Sequence, residues 1–403
     1  MEVADRISTD AFIVGAGPAG STLAALLAGA GVSVVIADKS KFPRDKVCGE
    51  FLSYDALPLL DFLGVTPLLD DAGATRISSC RVIGSTTTYE FSLPRAARGV
   101  SRLLLDDTLL RTAASKGAQA LPGWEVIRID PGRDSSSITL RNGDRTIVVS
   151  ARVVAGAWGR WGRFDRQLER SFATDRRHRH FGFKRHYRAI APRPADSIDL
   201  HSFDRGYLGV SSIEGGLTNI CGLVHRTRIE KMKGGWETFI STLQRERSSL
   251  DDLYRSHEPA QDEFLSSEPV IFTARSPVER GIFMVGDAAG IIDPLTGNGM
   301  AMAIQSALAA APAVLRRLTA PEPARIVENE YRAAFRKMFG SRLFWSRRIA
   351  FLLSRPGLLD QAMRVTSSPS VGRILLGRTR ADYETVESWV GAWASRLAAG
   401  RRA

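Results

Sequence analysis

Gly15, Gly17 and Gly20 stand in the order G-x-G-x-x-G, with Pro18 and Ala19 between the last two. That spacing suits a diphosphate. The first glycine permits a tight turn, the second lets backbone approach the pyrophosphate, and the third lets a helix pack close to a strand. Free N–H groups and the helix dipole then favour the phosphates at the helix start. An apolar run, Ala11 to Val14, precedes the turn, and a small-residue helix, Ser21 to Ala30, follows it. A β-branched run, Val32 to Ala37, ends in Asp38 with Lys39 beside it. An acid at that strand end accepts hydrogen bonds from an adenosine ribose. The unit is a βαβ dinucleotide site, and by itself it does not separate FAD from NAD.

Two further segments decide. Met284 to Met300 reads MVGDAAGIIDPLTGNGM, and Phe42 to Ser53 reads FPRDKVCGEFLS. In both the chain resembles the superfamily of geranylgeranyl reductases and FAD-dependent aromatic-ring hydroxylases of the para-hydroxybenzoate hydroxylase type. The resemblance covers roughly residues 10 to 355. It implies that FAD is the cofactor, that Gly286 and Asp287 hold the ribityl chain, and that Pro294 lies beside the isoalloxazine. It also implies that Gly297, Asn298, Gly299 and Met300 supply groups to the pyrimidine edge. By the same similarity Arg44 approaches the phosphates or ribose, and Cys48 and Gly49 lie near the ring. Arg102 contacts the FAD, and the Val126 backbone meets the adenine. Cys48 is a candidate catalytic thiol or a small packed residue.

Two stretches depart from the family pattern. Where Ala-Asp-Gly is common, the chain has Ala157, Trp158 and Gly159, so the route of an incoming nicotinamide is open. The reductases' Y-x-W-x-F-P pattern is replaced by Tyr207 to Ser212. A halogenase would show W-x-W-x-I-P and a lysine placed for hypohalous acid; neither is visible, and no lysine lies between Lys46 and Lys116.

The charge is +12 over 403 residues, which draws polyanions, anionic membranes or acidic cofactors without choosing among them. The basic run Arg176 to His180 suits a solvated loop better than a nucleic-acid patch, so no nucleic-acid partner is expected. His186 is a candidate catalytic residue, though a buried, hydrogen-bonded histidine is the better expectation. Tyr331 to Pro356 carries seven basic residues and no acid, interleaved with Phe335, Phe339, Phe344, Trp345 and Phe351. Such a helix suits either peripheral attachment to an anionic membrane or core packing with a basic outer face. Cys48, Cys80 and Cys221 are widely spaced, which predicts reduced thiols and a cytoplasmic protein, membrane-peripheral if the basic helix binds lipid. The apolar stretch Ala11 to Ala37 is broken by five glycines and Pro18, unlike a membrane span.

The elements around these residues define an α/β fold. A Rossmann-type, parallel-sheet FAD-binding domain (8–75, 98–170 and 275–320) is interleaved with an antiparallel-sheet substrate domain (76–97 and 171–274), and a basic helical region follows (321–403). Helices are predicted near Leu57–Leu63, over Arg102–Gly117 and over Met300–Leu318. Strands are predicted at Ala120–Ile129, Ser137–Leu140, Thr146–Ser150 and Val153–Ala155. The region 181–272 reads mostly as strands, with a Glu214-Gly215-Gly216 turn. The expected activity is a FAD-dependent monooxygenase acting on a hydrophobic or aromatic substrate. Its electrons come from NAD(P)H or a partner flavin reductase, since no second G-x-G-x-x-G is present. An ene-reductase is the alternative; a halogenase or a non-catalytic FAD-binding protein ranks lower.

Overall fold

A computed structural model describes residues 6–132, 134–174, 179–191, 196–230, 234–267, 269–365 and 369–400. Its first sheet is parallel at the core, in the order Ile282–Met284, Arg145–Gly156, Arg6–Val14, Val34–Asp38, Gln119–Pro122. Ala11 pairs with Val34 on one side and with Val153 on the other. Both faces are covered at the centre of the sheet, so Ala11–Val14, Val34–Ala37 and Val153–Ala155 are apolar runs rather than alternating. Phe12, Ile13, Val35 and Ile36 are all buried, each contributing about 1.5–3 kcal/mol of hydrophobic stabilisation.

Helix Pro18–Gly29 follows the glycine turn, with Gly17 at its N-cap and no side-chain cap on its first amides. It packs between the sheet, helix Arg102–Ser115 and helix Gly299–Thr319. The last of these is long and apolar enough to cross a membrane, but most of it is buried in the first core, as in a soluble protein's central helix.

The second sheet runs His257–Pro259, Arg179–Ala189, Leu217–His225, Gly206–Ser212, Ser197–Phe203, Thr75–Ile83, Thr88–Gly99, Phe51–Leu52. It is antiparallel except at one place. Ser197–Phe203 lies parallel to Thr75–Ile83, where two separate excursions of the chain meet. Helices Ala324–Leu353, Pro356–Val365, Pro369–Thr379 and Tyr383–Gly400 finish the fold.

Several sequence expectations need correction. The strand expected over Ala120–Ile129 is two: Gly123, at φ +82°, turns the chain out of the parallel sheet, and Glu125–Asp130 joins a hairpin instead. Thr146–Ser150 and Val153–Ala155 are one strand, Arg145–Gly156, which serves the hairpin at one end and the parallel sheet at the other. The region 181–272 also holds two helices, Trp236–Glu246 and Ser248–Arg255. Their buried Phe239, Ile240, Leu243, Leu250 and Leu253 recur at three- and four-residue spacing, the period of a helix with one buried face. Of the basic run, residues 176–178 lie outside the described residues.

Candidate functional site

The glycine turn is shaped for close approach. A β-carbon on Gly20 would overlap the Gly15 carbonyl, and one on Gly15, at φ +103°, would lie 2.5 Å from the Ala157 oxygen. A β-carbon on Gly17 would stand 3.7 Å from the Arg44 guanidinium and 3.8 Å from that of Arg102. Two cations therefore overhang the uncapped helix start. Asp38 accepts hydrogen bonds from Ala16 N and Ser40 N, both at 2.9 Å, and lies 3.6 Å from Arg44. Burial pushes its carboxyl up, but Arg44, Lys46 and those two amides outweigh burial and hold it below the usual carboxylate range.

Arg44 also pairs with Asp106, which accepts from Arg102 Nε at 2.8 Å and Nη2 at 2.7 Å. The buried Nε and Nη2 of Arg44 have no hydrogen-bond partner. Buried donors are normally satisfied, so unmatched guanidinium atoms beside a bare helix N-terminus fit a diphosphate. Asp106 had no part in the sequence reading, although it stands four residues after Arg102 on one helix face.

From Arg44 the chain runs to Cys48 and Gly49, and the second sheet holds that loop from beneath. Asn219 donates to the Cys48 carbonyl and Ser211 to the Gly49 carbonyl, each at 3.0 Å. Glu50, fully buried and at φ +54°, accepts from Lys184 Nζ at 2.6 Å, from Arg102 N at 2.8 Å and pairs with His186 Nε2 at 2.7 Å. Lys184 also reaches Asp45 at 2.5 Å. Burial lowers the lysine's pKa, but Glu50 and Asp45 raise it further, so the ammonium is kept. The carboxylates of Asp45 and Glu50 with His186 have metal-ligand spacing, but the Lys184 ammonium bonds to both acids. His186 is thus a buried residue bonded to Glu50. Cys48 is part-exposed, and Glu50 N donates to its sulfur at 3.4 Å.

The Gly286 to Met300 segment closes the other side. Gly286, at φ +61°, abuts Ala19, so this segment touches the start of the first helix. Gly297, at φ +63°, lies against the Phe51 ring, where a β-carbon would sit 2.9 Å away. Arg380 bonds Ser53 Oγ at 2.9 Å and the Thr296 carbonyl at 2.7 Å, and Asn298 donates to Asp55. The two segments expected to flank the flavin are therefore stitched together. Asp293 caps Leu295 N at 3.1 Å, and burial raises its pKa to about 7 despite that bond and Arg347. Tyr207 feels its charge and packs with Ile291 and Leu295.

The cofactor candidates Gly15, Gly17, Gly20, Asp38, Arg44 and Arg102 come together at the turn. Gly286 joins them through Ala19, and Gly297 and Asn298 join through the Phe51 to Asp55 stretch. Lys39 is exposed beside Asp38, and Val126 is buried on the hairpin strand Glu125–Asp130. Asp287 is part-exposed, its carbonyl bonded by Arg275. Beside it opens a pocket of about 490 Å³ lined by Arg170, Phe172, Arg275, Arg332, Phe335 and Arg336, among others. Trp158 lies against Gly156, Gly162 and Phe164 and donates to Asp165 at 3.2 Å, so it packs within its loop. Arg163 pairs with Glu125 at 3.6 Å.

Residues 8–199 match the family model described as FAD binding domain. The match spans a little under half of the chain and supports FAD as the dinucleotide for which the cradle is built. It is similar to the menaquinone reductase of Mycolicibacterium smegmatis, 37% identical over 165 residues, which are 38% of this chain and 39% of that protein. It is also similar to the tryptophan 2-halogenase of Chondromyces crocatus, 27% identical over 335 residues, which are 76% of this chain and 61% of that protein. The chain spans about two-fifths of the length of the menaquinone reductases it matches. Among solved structures, the flavin-dependent brominase Bmp2 superposes with a TM-score of 0.77 at 19% identity, covering 96% of this chain and 100% of that one. A flavoprotein/dehydrogenase from Cytophaga hutchinsonii gives 0.76 at 18% identity, covering 94% and 98%. These likenesses establish the fold.

Proposed function

We propose that the chain is a FAD-dependent reductase that adds two hydrogens across a double bond of a hydrophobic, prenylated-quinone-like substrate. The observation that carries this reading is Asp293, a buried carboxyl with a pKa of about 7 that immediately precedes Pro294. Saturating a carbon–carbon double bond needs a hydride at one carbon and a proton at the other. Reduced FAD supplies hydride chemistry when bound. Asp293 holds a proton at neutral pH and is suited to deliver it to the second carbon, water then restoring it. Tyr207, Leu223, Ile291 and Leu295 form an apolar cluster around that position. Gly15 to Gly20, Asp38, Arg44 and Arg102 bind and orient the dinucleotide. Electrons come from NAD(P)H or a partner flavin reductase, for which the arginine-lined pocket beside Asp287 offers a basic approach.

The similarity to a protein named menaquinone reductase favours reduction over the oxygen insertion expected from sequence. The monooxygenase stands as the second reading, favoured by the same apolar lining, which excludes water from an oxygen-activating centre. Halogenase relatives match more of the chain. However, Lys184 is buried and twice ion-paired, which keeps its nitrogen a protonated ammonium with no lone pair to take a halogen.

The test is anaerobic turnover. FAD-loaded protein, reduced with dithionite and mixed with a menaquinone, should yield a product that is still heavier by two hydrogens, carried in the prenyl chain, after air has reoxidised the quinol ring. The reading fails if product forms only with O2 and gains an oxygen atom, or only with O2 and halide and gains a halogen.

A further inference from the structure

Helix Ala324–Leu353 has two unlike faces. Tyr331, Phe335, Phe339, Arg342, Ser346 and Leu353 are buried. On the opposite side Lys337, Ser341, Phe344, Arg348 and Phe351 are exposed, at alternating spacings of four and three residues. Phe344 is 49% exposed and Phe351 57%, and Leu358 in the following helix is 43% exposed. Large apolar side chains this open are unusual on a soluble surface when they occur together. The Arg348 guanidinium lies over the Phe344 ring and that of Arg355 over Phe351, each at 3.6 Å. Arg336, Arg347 and Arg364 are also exposed. Between residues 331 and 365 the single acid is Asp360, buried and bonded to Ser85 and Thr87. This stretch therefore makes the face cationic and aromatic and contributes no exposed carboxylate to it.

We propose that this face, centred on Phe344, Arg348, Phe351 and Arg355, docks on a bilayer containing anionic phospholipid. Charge complementarity selects that occupant: arginines seated over aromatic rings place cations at headgroup depth while the rings enter the acyl boundary. A further feature ties the surface to the site. Ile349, Leu352, Leu353, Leu359 and Met363, beneath the exposed face, belong to the same apolar cluster as Tyr207, Ile291 and Leu295. A membrane-dissolved substrate thus meets continuous apolar packing from the docked face to Asp293. This last step rests on the reductase reading; the docking does not.

FAD-loaded protein is sedimented with vesicles of phosphatidylcholine alone and of phosphatidylcholine mixed with phosphatidylglycerol. Binding should require phosphatidylglycerol and weaken as salt rises. The double variants F344S/F351S and R348Q/R355Q should each lower the partition coefficient about tenfold or more, since one surface cation is worth about 1 kcal/mol near such a membrane. Both should retain the flavin spectrum and Tm of the parent. Absence of binding to the anionic vesicles overturns the proposal, as does binding that neither variant weakens. A stable dimer that F344S/F351S dissociates also overturns it, because a second copy then covers the face. If vesicles bind through these residues but menaquinone is oxygenated, the docking stands and the reductase reading falls.

Discussion

At the scale of single residues, Asp293 carries the sharpest consequence. Its carboxyl ionises near 3.8 in an unfolded chain and near 7 in the fold, because burial penalises the charge. Between those values the folded state holds more protons, so stability falls as pH rises from about 4 to about 7 and is level above. Urea unfolding across pH should show that slope, and Asp293→Asn should flatten it. The same substitution tests the chemistry. If Asp293 delivers the proton, kcat declines above pH 7, and Asp293→Asn lowers kcat by roughly 10²–10⁴ and removes the decline. Glu50 gives a second prediction. It joins Lys184, His186 and the Arg102 amide at one buried point, so Glu50→Gln leaves an ammonium short of charge. The expected loss is about 3 kcal/mol in unfolding free energy, measured with denaturant.

Among elements, the stretch after helix Pro369–Thr379 reaches furthest. Arg380 bonds Ser53 and the Thr296 carbonyl, and Ala381 N donates to Asp55, so the C-terminal helices tie the two flavin-flanking segments together. Arg380→Ala should raise the FAD dissociation constant about tenfold, the size of one charged hydrogen bond, as read by fluorescence titration. None of this was visible in sequence, since Arg380 lies 327 residues from Ser53. What was visible is local. The βαβ unit declared itself because its turn, small-residue helix and apolar strands are contiguous and each obeys its own period. The Asp287 to Met300 segment declared itself through its glycines and Pro294. By contrast, Lys184 and Glu50 are ordinary surface types in a sequence, and only the seating of the Arg44 to Glu50 loop against the distant strand Arg179–Ala189 makes them a buried pair. The Trp236–Glu246 helix is hidden in a strand-rich region although its apolar spacing is helical, because the helical stretch as a whole lies between strands Leu217–His225 and His257–Pro259.

For the molecule as a whole, the second sheet is shared between two stretches of chain. Thr75–Ile83 and Thr88–Gly99 wait for Ser197–Phe203, and Arg81 finds Asp199 across 118 residues. Pairings this far apart in sequence make loop closure entropically slow. During synthesis the FAD cradle's own strands can gather before strand Thr75–Ile83 has a neighbour on that side. Until residue 203 emerges it is an open edge, the kind of strand that pairs with other chains. A fragment ending at 199 therefore keeps most of the nucleotide cradle but leaves that edge bare. Expressed alone, it should be recovered in the insoluble fraction, whereas a fragment extended through His225 should show more soluble protein. Soluble, monomeric 8–199 that retains FAD would contradict this order of assembly.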